Sequence, residues 1–208
     1  MKRYTTTSPL SSEEIRQIFE LPMDRNSTMM KLHILTGLRA NELLKLRFSD
    51  FYEKVQGQFV MKSRIKVFAS KQRKFRIIPV SKRMGELIER YRKFERVKLS
   101  SNRILFLTKS GQPFNTTMYR DNVVKKMFAD LGMAAQGTHT LRKSFGQTFY
   151  HANGETMEAL LQLKEIFGHS SIEITKRYVG ITSEVSDKML DVMDGYLPDM
   201  NTLTNNVD

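Results

Sequence analysis

The chain has no cysteine. Disulfides, thiolate zinc sites and cysteine nucleophiles are excluded together. Histidine is scarce: four residues in 208, dispersed at positions 33, 139, 151 and 169, so a histidine-built metal centre is not expected. No apolar stretch approaches the length of a membrane span, and the opening MKRYTTTSPL lacks the apolar core of a secretory signal. What remains is a chain long enough to bury a substantial core in one domain, expected in the cytoplasm with no membrane partner, no metal and no cofactor.

Positive charge is plentiful. Lys and Arg total 34 against 22 acidic residues, a formal net charge of +12, which favours an anionic partner such as nucleic acid. The excess is uneven. Residues 60 to 98 hold fourteen basic residues against Glu86, Glu89 and Glu95, whereas residues 184 to 208 carry Glu184, Asp187, Asp191, Asp194, Asp199 and Asp208 against Lys188 alone. A basic surface and an acidic end do different jobs.

Patterning predicts a mainly α fold with a small antiparallel β-sheet. Ser11 to Glu14 form a Ser-x-x-Glu capping box ahead of Ile15, Ile18 and Phe19 at helical spacing, and Pro22 ends that helix. A second, more apolar helix is expected over 27 to 36, a turn at Gly37, and a third helix over 40 to 46, so that helix, turn and helix bracket Arg39. The stretch 58 to 80, with Phe59, Met61, Val67, Phe75, Ile77 and Val80, reads as short strands or a hairpin rich in basic residues. Helical period returns over 82 to 98 and 116 to 131, with the Lys109 to Pro113 turn between. Thr138 is expected to cap a helix that stops at Asn153-Gly154, and Thr156 a helix that ends at Gly168. A short helix follows from Ser171, and a last one from about 183 to 196 bears an apolar stripe of Val185, Met189, Val192 and Met193.

Singly, the polar candidates say little: a lone Arg39 is ordinarily a surface cation, and a lone Tyr178 an amphipathic residue half in the core. The order is what informs. Along the chain come Thr36-Gly37-Leu38-Arg39 with Glu42, lysines in a basic hairpin, His139-Thr140-Leu141-Arg142, Gly168-His169-Ser170-Ser171, and Tyr178 nine residues after His169. This set resembles the phage-integrase, or tyrosine site-specific recombinase, family over roughly residues 11 to 185.

The resemblance implies a tyrosine recombinase catalytic-domain fold and a metal- and ATP-independent reaction in which DNA strands are cut and rejoined through a covalent 3′-phosphotyrosyl intermediate. Arg39 and Arg142 correspond to the arginines that grip the scissile phosphate, a role suited to guanidinium groups, which stay charged and donate paired hydrogen bonds to phosphate oxygens. Tyr178 corresponds to the nucleophile, His139 to an acid/base group beside it, and His169 to a hydrogen-bonding group that positions the phosphate. The run Lys71-Gln72-Arg73-Lys74-Phe75-Arg76-Ile77-Ile78-Pro79 matches the family's Lys-x-x-Lys-x-Arg-x-x-Pro. It makes Lys71 the donor of a proton to the leaving 5′-oxygen, with Lys74 second in line. Lys66, Arg73, Lys74 and Arg76 are expected to hold backbone phosphates. Glu42, three residues after Arg39, is expected to orient that arginine.

Residues 1 to 182 are thus read as a catalytic domain with a ten-residue N-terminal extension, and 183 to 208 as an acidic helix and tail, exchanged between protomers of a DNA-bound tetramer or packed on their own domain. Most family members also carry an N-terminal helical domain that closes over DNA. This chain begins at or just before the catalytic domain, as a naturally short recombinase or a catalytic fragment would. Spacing differs too: 27 residues separate Arg142 from His169, with a helix between them longer than usual. The expected partner is double-stranded DNA. Two other readings stay open: a non-catalytic DNA-binding regulator and a type IB topoisomerase-like DNA-relaxing enzyme.

Overall fold

The computed structural model describes residues 7–69, 73–134 and 137–181. Helix α1 (Ser12–Glu20) starts on the expected capping box, with Ser11 accepting from the Glu14 N–H and Glu14 answering on the Ser11 N–H. Helix α2 (Arg25–Thr36) starts two residues earlier than its apolar pattern, because Asp24 and Ser27 form a reciprocal cap of their own. It ends on Gly37 at φ 57°. A Cβ there would stand 2.3 Å from Phe145 Cδ1, so both conformation and space demand glycine. Two single-turn helices follow: α3 (Ala40–Leu43), which is shorter than the helix expected over 40 to 46, and α4 (Phe48–Phe51), which was not expected.

The β region is two antiparallel hairpins rather than one sheet: β1 (Tyr52–Val55) with β2 (Gln58–Met61), and β3 (Arg64–Ala69) with β4 (Lys74–Pro79). β1 was not expected; its Glu53 and Lys54 break the alternation by which strands are recognised. In the second hairpin Ile65, Val67, Ala69, Arg76 and Ile78 face the core, while Lys66, Phe68, Phe75 and Ile77 face out.

Helix α5 (Lys82–Phe94) packs Met84, Leu87, Ile88 and Tyr91 inward. The next helical rod joins α6 (Thr116–Tyr119), a π-helical segment (Arg120–Lys125) and α7 (Lys126–Asp130). Helix α8 (Thr138–Ala152) is capped from Gly137 without a side-chain bond, so Thr138 is its first residue and not its cap. Thr156 does cap α9 (Met157–Phe167), which ends on the left-handed Gly168, and α10 (Ile172–Val179) follows.

One core cluster gathers the helices up to α8 around the hairpins, and a second joins α8, α9 and α10 through Tyr150, Leu160, Leu163, Phe167 and Val179. The helix expected over 183 to 196 lies outside the described residues, as does Lys71. Among the described residues no helix is long and apolar enough to cross a membrane.

Candidate active site

The turn between α2 and α3 lays Arg39 at the rim of a cleft of about 240 Å³ whose walls include His33, Leu38, Thr116, His139 and Arg142. The two arginines, 103 positions apart in the chain, therefore share one concavity.

Arg39 is held from its own helix. Glu42 Oε2 accepts from the Arg39 backbone N–H at 2.9 Å and Oε1 from Nη1 at 3.1 Å. Glu42 is buried and takes a second guanidinium, Arg76 Nη2 at 2.5 Å, while Arg76 Nη1 donates to the Ile166 carbonyl. Arg76 is buried with both Nη groups taken up by Glu42 and the Ile166 carbonyl and, unlike Arg142, which is also buried, does not line the cleft, which corrects its expected role. The strand register is the cause: Lys66 and Phe68 face solvent, which turns Val67 and its partner Arg76 to the opposite, inward face. Lys66, Arg73 and Lys74 are exposed.

Arg142, 1% exposed, crosses from α8 to both neighbouring elements: Nη1 donates to the Gly37 carbonyl at 2.6 Å and Nη2 to the Phe167 carbonyl at 3.0 Å. Its guanidinium lies 4.2 Å from the Phe167 ring centroid and 5.7 Å from that of Tyr178, and its Nε–H has no hydrogen-bond partner among the described residues. Burial, then the neighbouring Arg39 charge, brings its pKa down to about 10. Glu42 binds Arg39 and Arg76 directly, and the charges of both arginines act on Arg142. Such a cluster of cations suits an anion.

Tyr178 sits in the last turn of α10, half-buried, its ring 5.5 Å from Phe167 and 4.9 Å from His169. Its hydroxyl lies 3.2 Å from His139 Nδ1, at the exposed first turn of α8. Lys143 Nζ is 5.9 Å from the same ring and donates to the Thr7 carbonyl. His169 Nδ1 pairs with Thr175 Oγ1 at 3.0 Å. Loss of solvent, then the charges of Arg142, Arg39 and Arg76, holds His169 near pKa 3. Loss of solvent, then Arg142, Lys143 and Arg39, lowers His139. Both imidazoles stand neutral near pH 7.

The structure thus gathers Arg39, Glu42, His139, Arg142, His169 and Tyr178, and the long span from Arg142 to His169 closes on itself, since Phe167 touches both. Sequence reasoning passed over His33, Lys143 and Thr175. Of these only His33 left a signal, a polar residue inside the apolar run of α2.

The phage integrase family model matches residues 9–184. "Probable integrase/recombinase YoeC" of Bacillus subtilis (strain 168) is 27% identical over 188 residues, covering 89% of this chain and 95% of that protein. The tyrosine recombinase XerD of Oceanobacillus iheyensis is 28% identical over 199 residues, 91% of this chain and 62% of that protein. Among solved structures, the XerH recombinase bound to palindromic difH substrate in a post-cleavage complex superposes with TM-score 0.66 at 21% identity, over 89% of this chain and 52% of that one. A lambda integrase dimer bound to a COC′ core site gives 0.60 at 17%, over 84% and 48%. The chain therefore spans nearly all of YoeC but less than two thirds of the XerD, XerH and lambda integrase chains. With a match that runs through every element that builds the cleft, the chain belongs to the phage integrase family, the tyrosine recombinases, and has the fold of their catalytic domain.

Proposed function

We propose that the chain is a site-specific recombinase that cleaves and rejoins double-stranded DNA in the cytoplasm, as part of a tetramer on DNA, without metal or ATP. One observation carries this: the Tyr178 hydroxyl is paired with a neutral imidazole beside a cleft that two guanidiniums line.

In this reading a phosphodiester enters the cleft between Arg39 and Arg142, which stabilise the phosphorane as its negative charge grows. His139 Nδ1 takes the phenolic proton as the Tyr178 oxygen bonds to phosphorus. The bond from phosphorus to the 5′-oxygen breaks, and a hairpin lysine, Lys71 or next to it Lys74, protonates the leaving oxygen. The arginines supply the positive charge, so no step draws on a metal. The 3′-phosphotyrosyl bond keeps the energy of the broken ester, so rejoining needs no ATP. His169, fixed by Thr175, positions a phosphate oxygen, and Lys66, Arg73 and Lys74 hold flanking phosphates.

The test is covalent capture. Wild type and Tyr178→Phe are incubated with a pool of duplexes of random sequence, each nicked so that the 5′-hydroxyl fragment diffuses away, and adducts are recovered on denaturing gels and sequenced. A common site in adducts that form only with wild type is expected. Equal yields from both proteins, or none from either, overturn the reading.

A further inference from the structure

His33 is buried to 1% exposure in the last turn of α2, and the mechanism above does not use it. Both of its nitrogens are engaged: Nε2 lies 2.8 Å from the Leu38 carbonyl and Nδ1 2.9 Å from the Tyr119 hydroxyl. A carbonyl only accepts, so Nε2 carries the hydrogen. Nδ1 is then a lone pair, and Tyr119 donates to it in preference to the Met29 carbonyl at 3.5 Å. Burial holds the ring near pKa 3, which keeps this neutral tautomer at any working pH.

The three residues of the adjoining turn are each held by a different side chain. The Gly37 carbonyl accepts from Arg142, the Leu38 carbonyl from His33, and the Arg39 N–H donates to Glu42. Arg142 and Arg39 are the arginines of the cleft, and between their two anchor points the turn is fixed by His33. Its footing is firm, since Tyr119 is fully buried on the rod where helical turns become π-helical, one residue before that segment begins.

We infer that His33 is a positioning residue for strand cleavage: with Tyr119 behind it, it fixes the Leu38 carbonyl and so the relative placement of Arg39 and Arg142. The inference rests on the cleavage reading above. An apolar side chain at position 33 would leave the Tyr119 hydroxyl with the 3.5 Å contact to the Met29 carbonyl in place of the shorter bond, and the Leu38 carbonyl buried and unpaired. The nearest relief is rotation of that peptide toward the cleft, which carries Arg39 with it.

The nicked duplex captured by wild type is mixed in excess over the full chain, and adduct formation, at most one per chain, is followed over a range of duplex concentrations. A merely structural defect lowers the amplitude, the fraction of chain that reacts. A displaced arginine lowers the rate constant at saturation. For His33→Leu we expect full amplitude and a maximal rate constant reduced on the order of a hundred-fold, as for a small misplacement of reacting groups. His33→Gln, whose amide can serve both Leu38 and Tyr119, recovers most of the rate. Should the leucine variant not fold, His33→Asn, too short to reach the Leu38 carbonyl, takes its place against His33→Gln. An unchanged rate constant, or a loss confined to amplitude, overturns the inference. Wild type yielding no Tyr178-dependent adduct overturns the cleavage reading itself.

Discussion

Glu42 is almost wholly removed from water while bonded to Arg39, at the cleft, and to Arg76 behind it. Breaking a buried pair by removing one partner costs more than the pair contributes, because the remaining charges stay buried without compensation. Glu42→Ala should therefore lower unfolding free energy by about 3 to 5 kcal/mol, measured by urea titration. A loss near that of an ordinary surface change would mean that solvent screens the network despite its burial. The expected partnership of Glu42 with Arg39 is present, but the stronger geometry goes to Arg76, which the family's basic hairpin run had placed on the DNA surface. A local i,i+3 relation can be read along a helix; a bond between residues 34 positions apart depends on strand register.

At the scale of elements, the α2–α3 turn concentrates the constraints. Gly37 has a left-handed backbone and faces Phe145 of α8 at a distance no Cβ tolerates. Gly37→Ala combines two costs, a left-handed conformation of roughly 1–2 kcal/mol and overpacking of about 1–3 kcal/mol. A second change, Phe145→Ala, should relieve the larger share of the overpacking, leaving the 2.9 Å approach to Phe167 Cε1 and the backbone part. Thermal unfolding of the single and double variants checks this, and strict additivity of the two losses would show that the contact does not matter. The π-helical segment after Tyr119 belongs to the same scale. Tyr119, Val123 and Val124 all point inward across its start.

For the whole molecule, depressed imidazole pKa values link folding to pH. His33 and His169 stand near 3, and His139 lies below its ordinary 6.5. In the unfolded chain these rings protonate below about 6.5. Unfolded chains then bind more protons than folded ones, so their contribution to stability is complete above 6.5 and is lost as pH falls toward 3. The melting temperature should drop between pH 7 and pH 5, and less steeply in His33→Leu; a flat profile would contradict the buried neutral state of that ring. A phosphate in the cleft opposes the lowering that Arg142 and Arg39 add to that of burial at His139, so DNA binding near pH 6 should take up protons there. Calorimetry in buffers of different ionisation enthalpy reads that uptake as a buffer-dependent heat.

Some of this was determined by the sequence alone. The capping box at Ser11, the helix endings at Gly37 and Gly168, the Thr156 cap and the second hairpin all follow from interactions within a few residues, and such local physics survives without tertiary context. The ordered motif that carries Arg39, Arg142, His139, His169 and Tyr178 was legible as well, since order along a chain is a property of sequence. Tertiary structure alone decided which face of β4 turns inward, and so that Arg76 braces Glu42. It alone decided that a histidine in an apolar helix holds the turn between the two arginines, and that α6 begins a rod broken by a π-helical segment. Those outcomes depend on burial and on contacts between residues far apart in the chain, where the cost of an unpaired polar group, and not any neighbouring residue, selects the arrangement.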